Sequence, residues 1–205
     1  MFPHVVQPLR IFEPRYLEMF EDALASDQLI TMTLLETGSQ SEFTGEPIIR
    51  PVCCLGQIIS HSQQKDGSYH CLLAGLKRVL VIRELDEAKL YRSAKVELID
   101  DLSHGFTPEE DMKLQKSLIS AYRTISVDGS TTEESLEKLL KSQLSLGMLS
   151  DVIAYSAPLQ ITQKQKLLEE FNVKSRSETL IEYLQQLSAV SIGSQMTFPP
   201  EFSEN

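Results

Sequence analysis

The spacing of apolar residues changes half way along the chain. In the first half, apolar and polar residues often alternate, as from Ile30 to Leu34, which is typical of β-strands with one buried face. In the second half, apolar residues recur every three or four positions, as from Leu180 to Leu187, which is typical of helices with one buried face. The pattern therefore predicts a β-rich half followed by a helical half.

A single helix is predicted within the first half, close to its beginning. Pro14 suits the first turn of a helix, where its missing N–H needs no partner, and Leu17, Phe20 and Leu24 follow at helical spacing. The strands predicted around this helix cover residues 5–12, 30–34, 52–60, 69–74, 79–82 and 94–99. Residues 36–47 are predicted to form a loop.

The dipeptide Asp66-Gly67 predicts a hairpin with a two-residue turn. In that register His61 pairs with Leu72, and His61 and His70 become diagonal neighbours on one face, about 7–8 Å apart. Two imidazoles can share a metal ion, but protein sites usually supply three or four ligands. Since a third ligand is missing from that face, we expect solvent-facing histidines and no metal site.

Helix starts in the second half are marked by capping boxes, in which a Ser or Thr is followed three residues later by Glu. The predicted boxes pair Thr107 with Glu110, Thr131 with Glu134, and Ser175 with Glu178. Asn172 is predicted to cap the carboxyl end of a helix that begins near Gln163. These signals predict helices from Thr107 to Ile192.

The chain is acidic, with 29 acidic and 19 basic residues and a formal net charge of -10. A surface of this sign repels phosphates, which argues against nucleic acid as a partner. No apolar run reaches the roughly 18 residues that cross a bilayer, and Phe2-Pro3-His4 does not resemble a secretory leader. We therefore expect a cytoplasmic protein that binds neither nucleic acid nor membrane.

Three cysteines are present, Cys53, Cys54 and Cys71. An odd number with two adjacent members forms neither a disulfide framework nor a zinc motif. We expect buried, reduced thiols of the kind found in a reducing compartment.

Motifs for catalysis are missing from the sequence. No Gly precedes Lys as in phosphate-binding loops, and no Gly-x-Ser elbow or His-Glu-x-x-His metal helix occurs. Paired acids such as Glu109-Glu110 suit the first turns of helices, where carboxylates favour the helix dipole. No catalytic residue, cofactor or metal site is predicted.

The most specific pattern is the run Phe12-Glu13-Pro14-Arg15-Tyr16, which follows Pro8-Leu9-Arg10-Ile11. It resembles the strand-to-helix signature of the Lon protease amino-terminal domain, a family also found as stand-alone small proteins in bacteria. The similarity continues in order through Cys54–Ile58, Asp66-Gly67, Ala74-Gly75-Leu76-Lys77-Arg78, Tyr91–Glu97, Asp151–Ala154 and Lys164–Glu169. It therefore spans nearly the whole chain.

The resemblance implies an α+β fold in which a PUA-like β-barrel with one early helix precedes a carboxyl-terminal α-helical bundle. The implied ranges are 1–100 for the barrel, 101–192 for the bundle and 193–205 for a loose tail. Family members usually begin with an apolar strand ahead of this point. The resemblance therefore leaves two alternatives: the barrel is shorter, or the given start omits a strand. An omitted strand would leave a sheet edge open, which is an association hazard.

The resemblance also implies a protein- or peptide-binding module, because in full-length Lon this region recognises substrate while separate domains hydrolyse ATP and cut peptides. The expected partners are unfolded or tagged protein segments, together with a protease or chaperone. The alternatives are an accessory subunit of an ATP-dependent protease, an enzyme named as a protease by descent, and an RNA-binding PUA-like protein. The missing motifs argue against the enzyme, and the negative charge argues against RNA.

The family-signature residues are Phe12, Glu13, Pro14, Arg15, Tyr16, Gly75 and Arg78. We expect structural roles for them, with Phe12 and Tyr16 supplying core area and Pro14 starting the helix. A guanidinium can bind a carboxylate through two parallel hydrogen bonds. Glu13 is therefore predicted to pair with Arg78, or with Lys77 if the register differs by one.

Overall fold

The structure, a computed structural model, describes residues 1–36, 47–103, 107–125 and 144–195. The chain forms two units, one of Met1–Leu102 with Gln160–Phe171 and the other of Ser103–Leu159 with Asn172–Asn205. Strands dominate the first half of the chain and helices the carboxyl-terminal part. The predicted α+β fold class is confirmed.

The first unit is built on one antiparallel sheet of five strands. Its elements are β1 (Val6–Ile11), α1 (Pro14–Leu24), β2 (Leu29–Met32), β3 (Val52–Gln63), β4 (Tyr69–Leu85), β5 (Ser93–Ile99) and α4 (Ile161–Glu169). The strand order is β1-β4-β3-β2, and β5 pairs with β4 as well. The β3–β4 pairing shifts register at Leu55/Gly56 and at Ile58/Ser60, and irregularities of this kind bend strands where a sheet curves.

The core of the first unit lies between α1 and one face of the sheet, called the inner face below. It is formed by Ile11, Phe20, Ala23, Ile30, Ile58, Cys71 and Leu73. On β4 the buried residues Cys71 and Leu73 alternate with the exposed residues His70 and Leu72, as a strand with one buried face requires. The period-two pattern in the sequence therefore marks the inner face.

Residues 64–68 connect β3 to β4, and the pair Gln64 and Ser68 encloses a turn of three residues, so the predicted two-residue turn is wrong. The backbone N–H of Gln64 donates to the carbonyl of Ser68 at 2.8 Å. Gly67 has a φ of 84°, the left-handed conformation that glycine adopts without steric cost and that such three-residue loops use. The pairing moves by one residue, and His61 and His70 lie on opposite faces of the sheet.

Helix α4 packs against β3 in the first unit, although the predicted bundle of residues 101–192 grouped it with the other helices. The Gln165 amide donates to the carbonyl of Val52 at 3.0 Å, and Arg78 Nε donates to the carbonyl of Leu168 at 3.0 Å. These bonds satisfy buried polar groups that would otherwise be costly. The remaining division into 1–100 and 101–192 stays a prediction.

Three helices form the described part of the second unit: α2 (Pro108–Ile125), α3 (Leu146–Ser156) and α5 (Val173–Gln195). The capping box before α2 is confirmed, because the Thr107 N–H donates to Glu110 at 2.9 Å and the Glu110 N–H donates to the Thr107 hydroxyl at 3.2 Å. The box at Thr131 and Glu134 lies outside the described residues. Helix α5 ends at Gln195, three residues beyond the predicted Ile192, so residues 193–195 of the predicted tail are helical and the rest of it lies outside the described residues.

Asn172 caps the amino end of α5, not the carboxyl end of the helix before it. Its side-chain oxygen accepts hydrogen bonds from the N–H groups of Lys174 at 3.0 Å and Ser175 at 3.1 Å. Asn is found at both the amino and the carboxyl ends of helices, so the residue type alone does not show which end it caps. The box predicted for Ser175 and Glu178 is wrong, because Ser175 already lies inside the helix.

The interior of the second unit contains a buried ion pair as well as apolar side chains. Arg176 Nε lies 3.5 Å from the Asp151 carboxylate and donates to the Ser150 hydroxyl at 3.1 Å. Both charged side chains are fully buried. A buried ion pair of this kind contributes little net stability, because the cost of removing two charges from water offsets their attraction.

Candidate functional site

The aromatic residues of the signature are exposed, so the prediction that they supply core area is wrong. Phe12 is 61% exposed and Tyr16 is 38% exposed. Pro14 is the first residue of α1, as predicted. Phe12 lies between the end of β1 and this proline, beyond the last buried residue of the strand, Ile11. The corner between β1 and α1 therefore presents two large rings to solvent.

Each exposed ring is accompanied by an arginine. The guanidinium carbon of Arg10 lies 5.8 Å from the centroid of Phe12, and that of Arg15 lies 4.6 Å from the centroid of Tyr16. Cation–π contacts at these distances orient both partners. We call Arg10, Phe12, Arg15 and Tyr16 the aromatic corner.

The predicted pairing of Glu13 with Arg78 or Lys77 is wrong. Glu13 accepts hydrogen bonds from Arg15 Nε at 3.0 Å and Arg15 Nη2 at 2.8 Å. Lys77 binds Asp100. Arg78 is buried, and besides Leu168 it binds Asp101, with 3.2 Å between Nη1 and the carboxylate. Arg78 holds α4 against the sheet, which is a structural role as expected but with different partners.

Gly75 is needed because the amino-terminal segment crosses β4 there. A Cβ atom on Gly75 would lie 2.1 Å from the carbonyl oxygen of Phe2, far inside van der Waals contact. Two backbone hydrogen bonds fix the crossing, from His4 to Gly75 at 2.9 Å and from Gly75 to Val5 at 2.8 Å. The signature glycine therefore seats residues that precede β1.

The opposite side of the sheet, its outer face, carries an open groove of about 430 Å³. We define the outer-face groove by the six outward side chains of β1, β3 and β4 that line it: Pro8, Arg10, Ser60, Ser62, His70 and Leu72. Pro8 lies opposite Leu72, and Arg10 lies opposite His70. Apolar and polar side chains thus form two successive rows across the strands.

Arg10 belongs to both the outer-face groove and the aromatic corner, and through it the exposed Phe12 ring adjoins the groove. Its Nη2 donates to Asp66 in the β3–β4 loop at 2.9 Å. Asp66 is held in turn by the hydroxyl of Ser68 at 2.7 Å and its N–H at 3.0 Å. These bonds, the hydroxyl first, lower the pKa of the Asp66 carboxyl.

Two of the buried cysteines of the sheet are Cys53 and Cys71. Burial raises the pKa of the Cys53 and Cys71 thiols, so both stay protonated at neutral pH and are weak nucleophiles. Among the described residues, no group of three or more His, Cys, Asp or Glu side chains is placed to hold a metal ion. The redox state and metal content of the cysteines stay predictions.

Comparison with known proteins agrees with this picture. Residues 1–186 match the model of the ATP-dependent protease La (LON) substrate-binding domain. The Lon proteases of Dictyoglomus thermophilum and Aquifex aeolicus are each 28% identical to the chain, over 187 and 190 residues. Each alignment covers 90% of the chain but 23% of the relative, so the chain spans less than a quarter of their length.

Solved structures share the fold. A Lon N-terminal domain protein from Xanthomonas campestris superposes with a TM-score of 0.64 at 20% identity, covering 89% of this chain and 92% of that one. The N-terminal domain of the Mycobacterium avium complex Lon protease gives a TM-score of 0.62 at 17% identity, covering 90% and 91%. None of the described helices is long and apolar enough for a membrane span. The chain belongs to the Lon substrate-binding domain family.

Proposed function

We propose that the protein is a non-catalytic recognition module that binds unfolded or tagged protein segments, as an adaptor or chaperone-like factor in the cytoplasm. Family membership supports the binding of protein substrates. The observation that carries the proposal is the exposed outer-face groove, together with the exposed Phe12 ring that Arg10 joins to it. Exposed apolar side chains grouped on one surface are typical of interaction sites.

The groove suits an extended segment. Its side chains repeat with the period of a β-strand, so a peptide lying along β1 and β4 meets matching rows. Pro8 lies in β1, at one end of the strand order, and has no N–H to donate. Because proline blunts a sheet edge against strand addition, recognition uses the face of the sheet and not its edge.

A role as the accessory subunit of an ATP-dependent protease is the second candidate. The observation that favours it is that the matching relatives are Lon proteases more than four times longer than the matched region. In this role the module delivers bound segments to a separate protease. The two roles share the same surface and differ in whether a protease binds the module.

The first experiment measures binding of a labelled protein in two forms, native and irreversibly unfolded by reduction and alkylation. We expect the module to bind the unfolded form selectively, and to hydrolyse neither ATP nor casein. Leu72→Ser should weaken binding about tenfold, as expected for losing one buried leucine contact. Leu98→Ser is the matched control, because Leu98 on β5 is exposed but lies outside the groove. Equal binding of both protein forms would contradict the proposal.

A further inference from the structure

The rows of the outer-face groove differ in chemistry, and their spacing is fixed by the strands. Pro8 and Leu72 form an apolar row, and Arg10 and His70 form the next. The two rows are separated by two residues along β1 and by two residues along β4. Two residues of extended chain span about 6.6–6.8 Å. A bound strand-like segment therefore places side chains i and i+2 on successive rows, while side chain i+1 points away.

The outer-face groove carries one formal charge, and its sign is opposite to that of the protein. The chain has a net charge of -10, whereas Arg10 is the charged side chain among the six that define the groove, and none of the six is an acid. Asp66, just outside, binds Arg10 at 2.9 Å, but this pair is more than half exposed and such pairs are weak. A guanidinium also has five N–H donors, so Arg10 can bind a second carboxylate.

We propose that the outer-face groove selects extended segments in which an acidic side chain lies two residues from a bulky apolar one. The inference rests on the proposed function and adds a substrate class to it. The apolar side chain packs on Pro8 and Leu72. The carboxylate accepts hydrogen bonds from the Arg10 guanidinium, and charge-assisted bonds of this kind are the stronger ones.

The test uses labelled peptides in a flexible Gly-Ser host, measured by fluorescence anisotropy. The first peptide carries Leu-Ser-Glu, the second Leu-Ser-Gln, and the third Leu-Ser-Ser-Glu. We expect the first to bind about tenfold more tightly than the other two, as one charge-assisted hydrogen bond predicts. In the third peptide the Glu side chain points away from the sheet when the Leu is seated.

The matched protein variants are Arg10→Gln and Arg15→Gln, because both side chains are more than half exposed and each binds one acid. Arg10→Gln should abolish the preference for Glu over Gln while leaving the melting temperature unchanged. Arg15→Gln should keep the preference, since Arg15 does not line the groove. A preference that survives Arg10→Gln, or equal binding at the two spacings, would overturn the inference.

The two proposals fail in different ways. If the unfolded protein binds and none of the peptides does, the acidic substrate class is wrong and the recognition function stands. If neither the unfolded protein nor any peptide binds to the wild-type chain, both proposals are wrong.

Discussion

Leu72 and Leu73 are neighbours on β4 but belong to different faces of the sheet. Leu73 is 0% exposed and packs in the core with Phe20, whereas Leu72 is 39% exposed and lines the outer-face groove. One strand thus supplies core residues through one set of alternate positions and the surface proposed for binding through the other. The two properties can therefore be changed separately, and the following predictions test that separation.

Truncation of the two leucines should give the largest contrast. Leu73→Ala removes a fully buried side chain and should lower the free energy of unfolding by about 4 kcal/mol, through lost burial and the remaining cavity. Leu72→Ala should cost less than about 1 kcal/mol, because only part of its side chain leaves contact, yet it should weaken the binding of unfolded protein. Urea denaturation and anisotropy measure both effects. Similar losses of stability in the two variants would contradict the separation of faces.

Substitution of two glycines, Gly75 and Gly67, compares a crowded backbone position in β4 with an open position in the β3–β4 loop. Gly75→Ala should destabilise the chain by about 3 kcal/mol, because its Cβ would meet the Phe2 carbonyl at 2.1 Å and the backbone must move. Gly67→Ala is the control, since no atom lies within 4 Å of its Cβ position. Gly67→Ala should lower the free energy of unfolding by about 1 kcal/mol, because only the left-handed φ of this residue disfavours alanine. Thermal unfolding of both variants distinguishes crowding from backbone strain.

Arg78 tests the part of β4 where the two faces cease to differ, because Arg78 and Val79 are both buried. Arg78→Met keeps the bulk of the side chain but leaves the Leu168 carbonyl and Asp101 without this donor. We expect the free energy of unfolding to fall by about 2 kcal/mol and amide hydrogen exchange in α4 to increase. Protection of α4 equal to that in the wild-type chain would show that the helix stays in place without the Arg78 hydrogen bonds.

The smallest expected effect concerns Asp66. Its pKa is lowered in the folded chain, so this carboxylate contributes stability above its unfolded pKa, and the contribution is lost as the pH falls through the folded pKa. Ser68→Ala should raise the pKa of Asp66, measured by NMR titration, more than Arg10→Gln does, because the Ser68 hydroxyl is the leading cause. A larger rise of the Asp66 pKa in Arg10→Gln than in Ser68→Ala would show that Arg10 contributes most to lowering it.

The order and type of most elements could be predicted from periodicity, because burial of one face imposes a period on the sequence. The alternation around Leu73 and the helix start at Pro14 are examples. Tertiary contacts could not be predicted in the same way. Asp-Gly suits turns of different length, so only the folded loop, with Gly67 at a φ of 84°, settles the register of β3 and β4.

The candidate site was harder to predict than the fold, because composition does not reveal which apolar residues stay exposed. Phe12 and Tyr16 are large aromatic residues of the kind often found in cores, but Phe12 follows the end of β1 and Tyr16 lies on an exposed part of α1. Arg78 was singled out by the family pattern, but its partners lie in α4 and after β5. Contacts across such a distance in sequence leave no local signal.

The docking of α4 in the first unit has a consequence for synthesis of the protein on the ribosome. The sheet has emerged by Leu102, but the carbonyl of Val52 and the guanidinium of Arg78 acquire their α4 partners only when residues up to Leu168 follow. At about 5–20 residues per second, translation needs several seconds for this stretch. During that time the nascent sheet lacks α4, and the surface that this helix later covers is open to the chaperones that meet emerging chains.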